Sequence, residues 1–125
     1  MPIERLDHVN LRTAQLDQMI RWYVDVLGLT QGPRPDFGFA GAWLYAGDVA
    51  LVHLVAVDAP SGAGSETPLK MEHVAFRATD EPAFRQRLED SGSTYRAVPI
   101  GGTDLVAYNV WDPDGNHLHV DFATA

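Results

Sequence analysis

A short segment occurs twice in this chain. Leu6-Asp7-His8-Val9-Asn10-Leu11-Arg12 returns as Met71-Glu72-His73-Val74-Ala75-Phe76-Arg77, sixty-five positions later. A repeat of this kind restricts the fold to two copies of one supersecondary unit that bury a shared core. In both copies apolar residues alternate with others, the pattern of a half-buried strand. Val9 and Leu11 share one face while His8, Asn10 and Arg12 share the other. In the second copy Val74 and Phe76 oppose His73, Ala75 and Arg77.

A helix follows each strand. Leu16, Met19, Ile20, Tyr23, Val24 and Leu27 keep the spacing of an amphipathic helix, and Gly28 is placed to end it. In the second copy Thr79 or Asp80 is the expected cap, with Pro82 tolerated in the first turn and Gly92 as the stop. Its apolar stripe is thinner, through Ala83, Phe84 and Leu88. The remainder of each copy is β-prone: residues 37–39, 42–46 and 49–57, then 94–98, 105–111 and 117–122. Asp112-Pro113-Asp114-Gly115-Asn116 is strong turn chemistry. The reading is a single α+β domain over residues 1–125. It holds one βαβββ module at residues 3–57, a Pro/Gly/Ser-rich linker at 58–70 and a second βαβββ module at 71–123.

The five histidines follow the repeat. His8 and His73 occupy the same place in the two first strands. His53 and His119 occupy the two last strands, in register when Gly47-Asp48 is set against Pro113-Asp114. Side chains two apart on a strand share a face. With the helices covering Val9, Leu11, Val74 and Phe76, His8 and His73 point to the opposite face. Leu118, Val120 and Phe122 likewise leave His117, His119 and Asp121 on that face. Two such sheets curved together would turn His8, His53, His73 and His119 towards one centre, where neutral imidazoles suit a divalent transition metal. One strand histidine alone is more often a hydrogen-bonded or solvent-facing residue. The shared register is what argues for ligands. His117 lies outside the register and reads as a solvated strand end or a supporting donor. Trp22, Tyr23 and Trp43 read as core. Arg12 and Arg77 read equally as surface residues or as contacts for an anionic substrate.

Composition removes other classes. Seventeen acidic against nine basic residues give a net charge of −8, with no basic cluster. Such a chain repels phosphate backbones and anionic lipid, so neither nucleic acid nor a membrane surface is an expected partner. Without cysteine there are no disulfides, thiolate sites or cysteine nucleophiles. The sequence has no Gly-rich phosphate loop, nucleophile elbow or dinucleotide fingerprint. The N-terminal residues lack the pattern of a signal peptide, and the longest apolar run, residues 49–57, is too short to span a bilayer. The expected compartment is the cytoplasm.

The paired βαβββ pattern, with Leu-Asp-His-Val near the start and Asp-Pro-Asp-Gly-Asn before the last strand, resembles the vicinal oxygen chelate superfamily. That group includes glyoxalase I, extradiol dioxygenases, fosfomycin resistance enzymes and bleomycin resistance proteins. The stretch from Gly32-Pro33-Arg34-Pro35 to Gly41-Ala42-Trp43-Leu44-Tyr45 is similar to small bacterial glyoxalase-like proteins. The resemblance implies modules curled into paired half-barrels, with a metal held from their first and last strands. Matched position by position, the ligands are His8, His53, His73 and His119, the same four that the register selects.

The family usually has a glutamate at the position of His119, and glyoxalase-type members carry glutamate or glutamine where His53 stands. A ligating carboxylate can act as a base, whereas an imidazole on a metal has its lone pair committed. Asp121, about 7 Å further along the same strand face, is the candidate substitute.

The resemblance implies a divalent metal (Fe, Zn, Ni, Co or Mn) acting as Lewis acid on a small substrate with two neighbouring oxygens. A glyoxalase-like lyase or isomerase comes first. An Fe(II) extradiol-type dioxygenase comes second, although the missing carboxylate departs from its usual ligand set. A metal-free, ligand-sequestering protein of bleomycin-resistance type comes third, and it has no need of four aligned histidines. The resemblance also favours a homodimer, in which His8 and His53 meet His73 and His119 of the partner subunit.

Overall fold

The computed structural model describes residues 2–58 and 70–124. The first unit contains β1 (Val9–Thr13), α1 (Leu16–Asp25), β2 (Thr30–Gly32), β3 (Gly41–Ala46) and β4 (Val49–Ala56). The second contains β5 (Val74–Arg77), α2 (Glu81–Ser91), β6 (Tyr95–Pro99), β7 (Leu105–Trp111) and β8 (His117–Ala123). The expected linker at 58–70 falls outside the described residues except for Asp58 and Lys70. Each unit forms a four-stranded mixed sheet, in the orders β1-β4-β3-β2 and β5-β8-β7-β6. The first strand pairs parallel with the last, the helix supplying the crossover that a parallel pair requires. The fold is α+β with paired modules, as the repeat implies.

Local chemistry accounts for the helix ends. The Thr13 hydroxyl accepts from the Gln15 backbone N–H at 3.0 Å, steadying the entry to α1. Gly28, at φ +75°, turns the chain out while its N–H donates to the Val24 carbonyl. In α2 the Asp80 side chain accepts from the Ala83 N–H, Pro82 sits in the first turn, and Gly92 closes the helix in the left-handed region.

The two units share one core. Met19 and Tyr23 of α1 and Leu88 of α2 are fully buried with Leu44, Val52, Leu54, Tyr108 and Val110 from the sheets. Each such side chain contributes about 1.5–3 kcal/mol of apolar burial. The turn after β7 joins the units. Asp112, itself buried, accepts from the Tyr23 hydroxyl at 2.7 Å, from the Asn116 N–H and amide, and from the Asp114 N–H. Gln15 donates to the Pro113 carbonyl at 3.1 Å. The turn chemistry of residues 112–116 is thus also a clamp between the modules.

Several expectations change. The first strands begin at Val9 and Val74, so His8 and His73 lie just before them, and Leu6 and Met71 are exposed. β1 and β5 stand at sheet edges with no neighbour to extend them. Residues 37–39 form no strand, and β2 appears at Thr30–Gly32, too short for alternation to reveal. Trp43 lies outside the core on the open face of its sheet, against His53. Among the described residues no helix is long and apolar enough to cross a membrane.

Candidate metal centre

The parallel pairings set the histidine geometry. Asn10 stands opposite His53 in one sheet, and Ala75 opposite His119 in the other. His8 and His73 each precede that position by two residues and share its face, so each reaches diagonally across to the last strand. The His8 and His53 rings stack at 3.8 Å and 7°. The His73 and His119 rings stack at 3.8 Å and 11°. In each module the two rings are thus neighbours across one parallel strand pair.

Each first-strand histidine is backed by the acid that precedes it. The Asp7 carboxylate faces His8 Nδ1 at 2.7 Å, and Glu72 is hydrogen-bonded to His73 Nδ1. A carboxylate there accepts a hydrogen bond from Nδ1–H and leaves the Nε2 lone pair free, the arrangement that fixes tautomer and orientation in metal-binding histidines. Hydrogen bonding to His8 holds Asp7 below the usual carboxylate range. Bonds to His73 and then His117 do the same for Glu72. Burial, followed by the charge of the neighbouring imidazole, pushes His53 and His119 below the ordinary imidazole value. Neutral, lone-pair-bearing rings are the form that binds a metal. The donor set therefore fits a divalent transition metal.

His117 is not a solvated strand end. Its Nε2 faces Asn109 Oδ1 at 2.9 Å, and its Nδ1 faces Glu72 Oε1 at 2.8 Å. Because Asn109 Nδ2 donates to the Arg96 carbonyl, the amide oxygen is the atom turned to His117. Both ring nitrogens are thus occupied by acceptors, and the ring steadies Glu72 behind His73. Trp111 stacks on it at 5.1 Å.

Asp121, two residues beyond His119 on the same face, carries a buried Oδ1 with no hydrogen-bond partner. An unpaired buried acceptor costs about 1–3 kcal/mol unless something outside the chain meets it.

Among the described residues, the group of three or more histidine or acidic side chains whose ligand atoms lie within 4.8 Å of one another is His73, His117 and His119. The chain therefore brings His8 to His53 and His73 to His119 without gathering all four in one such group. A cavity of about 370 Å³ opens where the units meet, lined by Asp7, His8, Val9, Val74, Phe76 and Arg77 among others. It reaches His8 but not the other three candidate ligands. Arg12 lies exposed.

Asp7, Glu72 and Asn109 were not among the expected site residues, and Trp43 was expected in the core. For the two acids the signal was present, since each precedes the repeated histidine. Asn109 and Trp43 emerge only from cross-strand pairing, opposite His119 and His53.

Comparisons with known proteins agree with this architecture. The family model for the Glyoxalase/Bleomycin resistance protein/Dioxygenase superfamily matches residues 5–120. A curated Arabidopsis thaliana protein, Glyoxylase I 4, is 30% identical over 120 residues, covering 92% of this chain and 68% of its own. A glyoxalase family protein from Bacillus anthracis superposes with a TM-score of 0.77 over 98% of both chains, at 21% identity. A glyoxalase/dioxygenase from Nostoc punctiforme gives 0.78 over 95% of this chain and 90% of its own, at 16% identity. At those identities the two solved structures speak for the fold.

Proposed function

Since the chain belongs to the glyoxalase/bleomycin resistance protein/dioxygenase superfamily, we propose that it is a divalent-metal-dependent lyase or isomerase. Its substrate is a small molecule that offers two neighbouring oxygens. The observation that carries this reading is the pair of stacked, carboxylate-backed histidine sets at equivalent places in the two modules. His8, His53, His73 and His119 hold the metal, which supplies Lewis acidity towards the chelating oxygens. Asp7 and Glu72 orient His8 and His73, and His117 with Asn109 holds Glu72 in place. Asp121, two residues beyond His119 on the same strand face, is the carboxylate that receives and returns the proton, the task for which a base must lie near the substrate.

The active unit is a homodimer, in which one chain's His8 and His53 face the partner's His73 and His119. The support is that each module presents one pair on an open sheet face while a single chain does not gather the four in one group.

Metal content tests the reading, on protein purified without chelator or histidine tag, beside a His8→Ala, His73→Ala double variant. Near-stoichiometric metal that disappears in the variant supports it, and no binding after reconstitution with each ion overturns it. Iron accompanied by oxygen uptake would turn the chemistry to a dioxygenase. Asp121→Asn is expected to keep the metal and lower kcat by about 10²–10⁴-fold, the range of a lost general base.

A further inference from the structure

A row of rings leaves the metal half-site. From His8 it passes to His53 at 3.8 Å and to Trp43 at a further 4.1 Å. It then reaches Phe37, 6.2 Å from Trp43, and Phe39, 5.5 Å from Phe37. The last two rings are 47% and 51% exposed, on the connection between β2 and β3. That connection is held in shape. Tyr45 donates its hydroxyl proton to the Pro33 carbonyl, and Asp36 accepts from the Gly38 N–H at 3.0 Å. The guanidinium carbon of Arg34 sits 4.9 Å from the Phe37 ring centre and 5.2 Å from that of Phe39. Arg34 Nη2 donates to the Phe39 carbonyl at 3.1 Å. Gly41 makes room for it, because a Cβ there would come within 2.8 Å of Arg34 Nη2 and 2.3 Å of the Leu54 carbonyl oxygen.

This is a fixed cation with most of its five N–H donors uncommitted. Among the described residues no carboxylate lies within salt-bridge distance of it. It stands beside aromatic faces that are continuous with the candidate ligand His53. A guanidinium fork matches a carboxylate in two-point geometry, and exposed aromatic faces match a flat ring. In a chain of net charge −8, an acidic ligand needs a local cation to offset the repulsion of the whole surface.

We propose that residues 33–43 form a substrate-recognition arm for an aromatic carboxylate, with Phe37, Phe39 and Trp43 against the ring and Arg34 on the acid. The inference rests on the His53 face being the substrate site. Its ring and acid contacts, however, require no metal.

The test is therefore made on metal-free protein by ¹⁹F NMR titration. The probes are 4-fluorophenylacetate and its neutral analogue, 4-fluorophenylacetamide, with unlabelled acetate as a competitor that has charge but no ring. The acid is expected to bind saturably and at least tenfold tighter than the amide, with acetate competing poorly. Arg34→Gln removes that tenfold preference, while Arg34→Lys, which keeps a cation beside the two rings, retains part of it. Phe37→Leu with Phe39→Leu weakens both probes. Equal affinity for acid and amide, an unchanged acid affinity in Arg34→Gln, or no saturable binding to the wild type overturns the proposal. If the Phe37→Ser, Phe39→Ser variant dissociates a dimer instead, the arm belongs to an interface between copies and the proposal falls. Because no metal is present, failure here leaves the metal-content result untouched, and failure there leaves this one.

Discussion

At the scale of single residues, the acids behind the histidines are as informative as the histidines. Asp7 and Glu72 each take the Nδ1 side of the next ring, and losing such a partner typically weakens metal affinity 10–100-fold. Asp7→Asn and Glu72→Gln are therefore expected to weaken binding by that factor in competition titrations, with folding intact. Glu72→Gln carries the larger effect, because it also releases His117. The protonation chemistry has a definite sign. His53 and His119 sit below the usual imidazole value of 6.5 through burial and neighbouring rings. The unfolded chain thus takes up protons on them before the folded one does. The stability linked to these rings is present above pH 6.5 and is lost as pH falls through their lower folded values. Asp7 and Glu72, held below their ordinary values of 3.8 and 4.5, add a loss of the same sign at lower pH. Urea midpoints of metal-free protein should fall on acidification below pH 6.5, and His53→Gln with His119→Gln should flatten the first part of that fall. A midpoint that rises on acidification contradicts the assignment.

At the scale of elements, the turn after β7 joins two modules that the repeat alone leaves unconnected. Tyr23 donates to Asp112 across that boundary, in a buried setting that raises the phenol well above its usual value. Tyr23→Phe should cost about 1–3 kcal/mol in urea unfolding, the value of a buried hydrogen bond whose acceptor stays behind. A neutral result would mean that the Asn116 and Asp114 donors suffice for the carboxylate. The elements were largely legible in the sequence because strands and helices write their own periods: Leu118, Val120 and Phe122 are buried as the alternation requires. The same alternation put His8, His73, His119 and Asp121 on the opposite face, and the register of the repeat added His53. What escaped has a physical cause in each case. β2 is three residues long and shows no period. Leu6 and Met71 continue the alternation but have no neighbouring strand to bury them. Trp43 obeys the strand period yet covers His53 rather than the core. Asn109 and Glu72 acquire their roles through His117, whose position outside the register hid its use.

At the scale of the whole molecule, two modules of like fold pack through a shared core and keep their histidine faces open. That a complete metal centre takes one pair of histidines from each of two chains is the step on which the proposed function depends. It can be tested by mixing half-sites. One chain carries His8→Ala and His53→Ala, the other His73→Ala and His119→Ala. The two are co-expressed with different non-histidine tags and the mixed dimer is isolated. Neither variant alone holds a complete centre under any arrangement. In the mixed dimer a shared centre leaves one set of four intact, namely the first-module pair of one chain with the second-module pair of the other. One metal ion per mixed dimer is expected, half the content of the wild type, and none in either parent. A mixed dimer as empty as its parents, beside a wild type that binds metal, would contradict it.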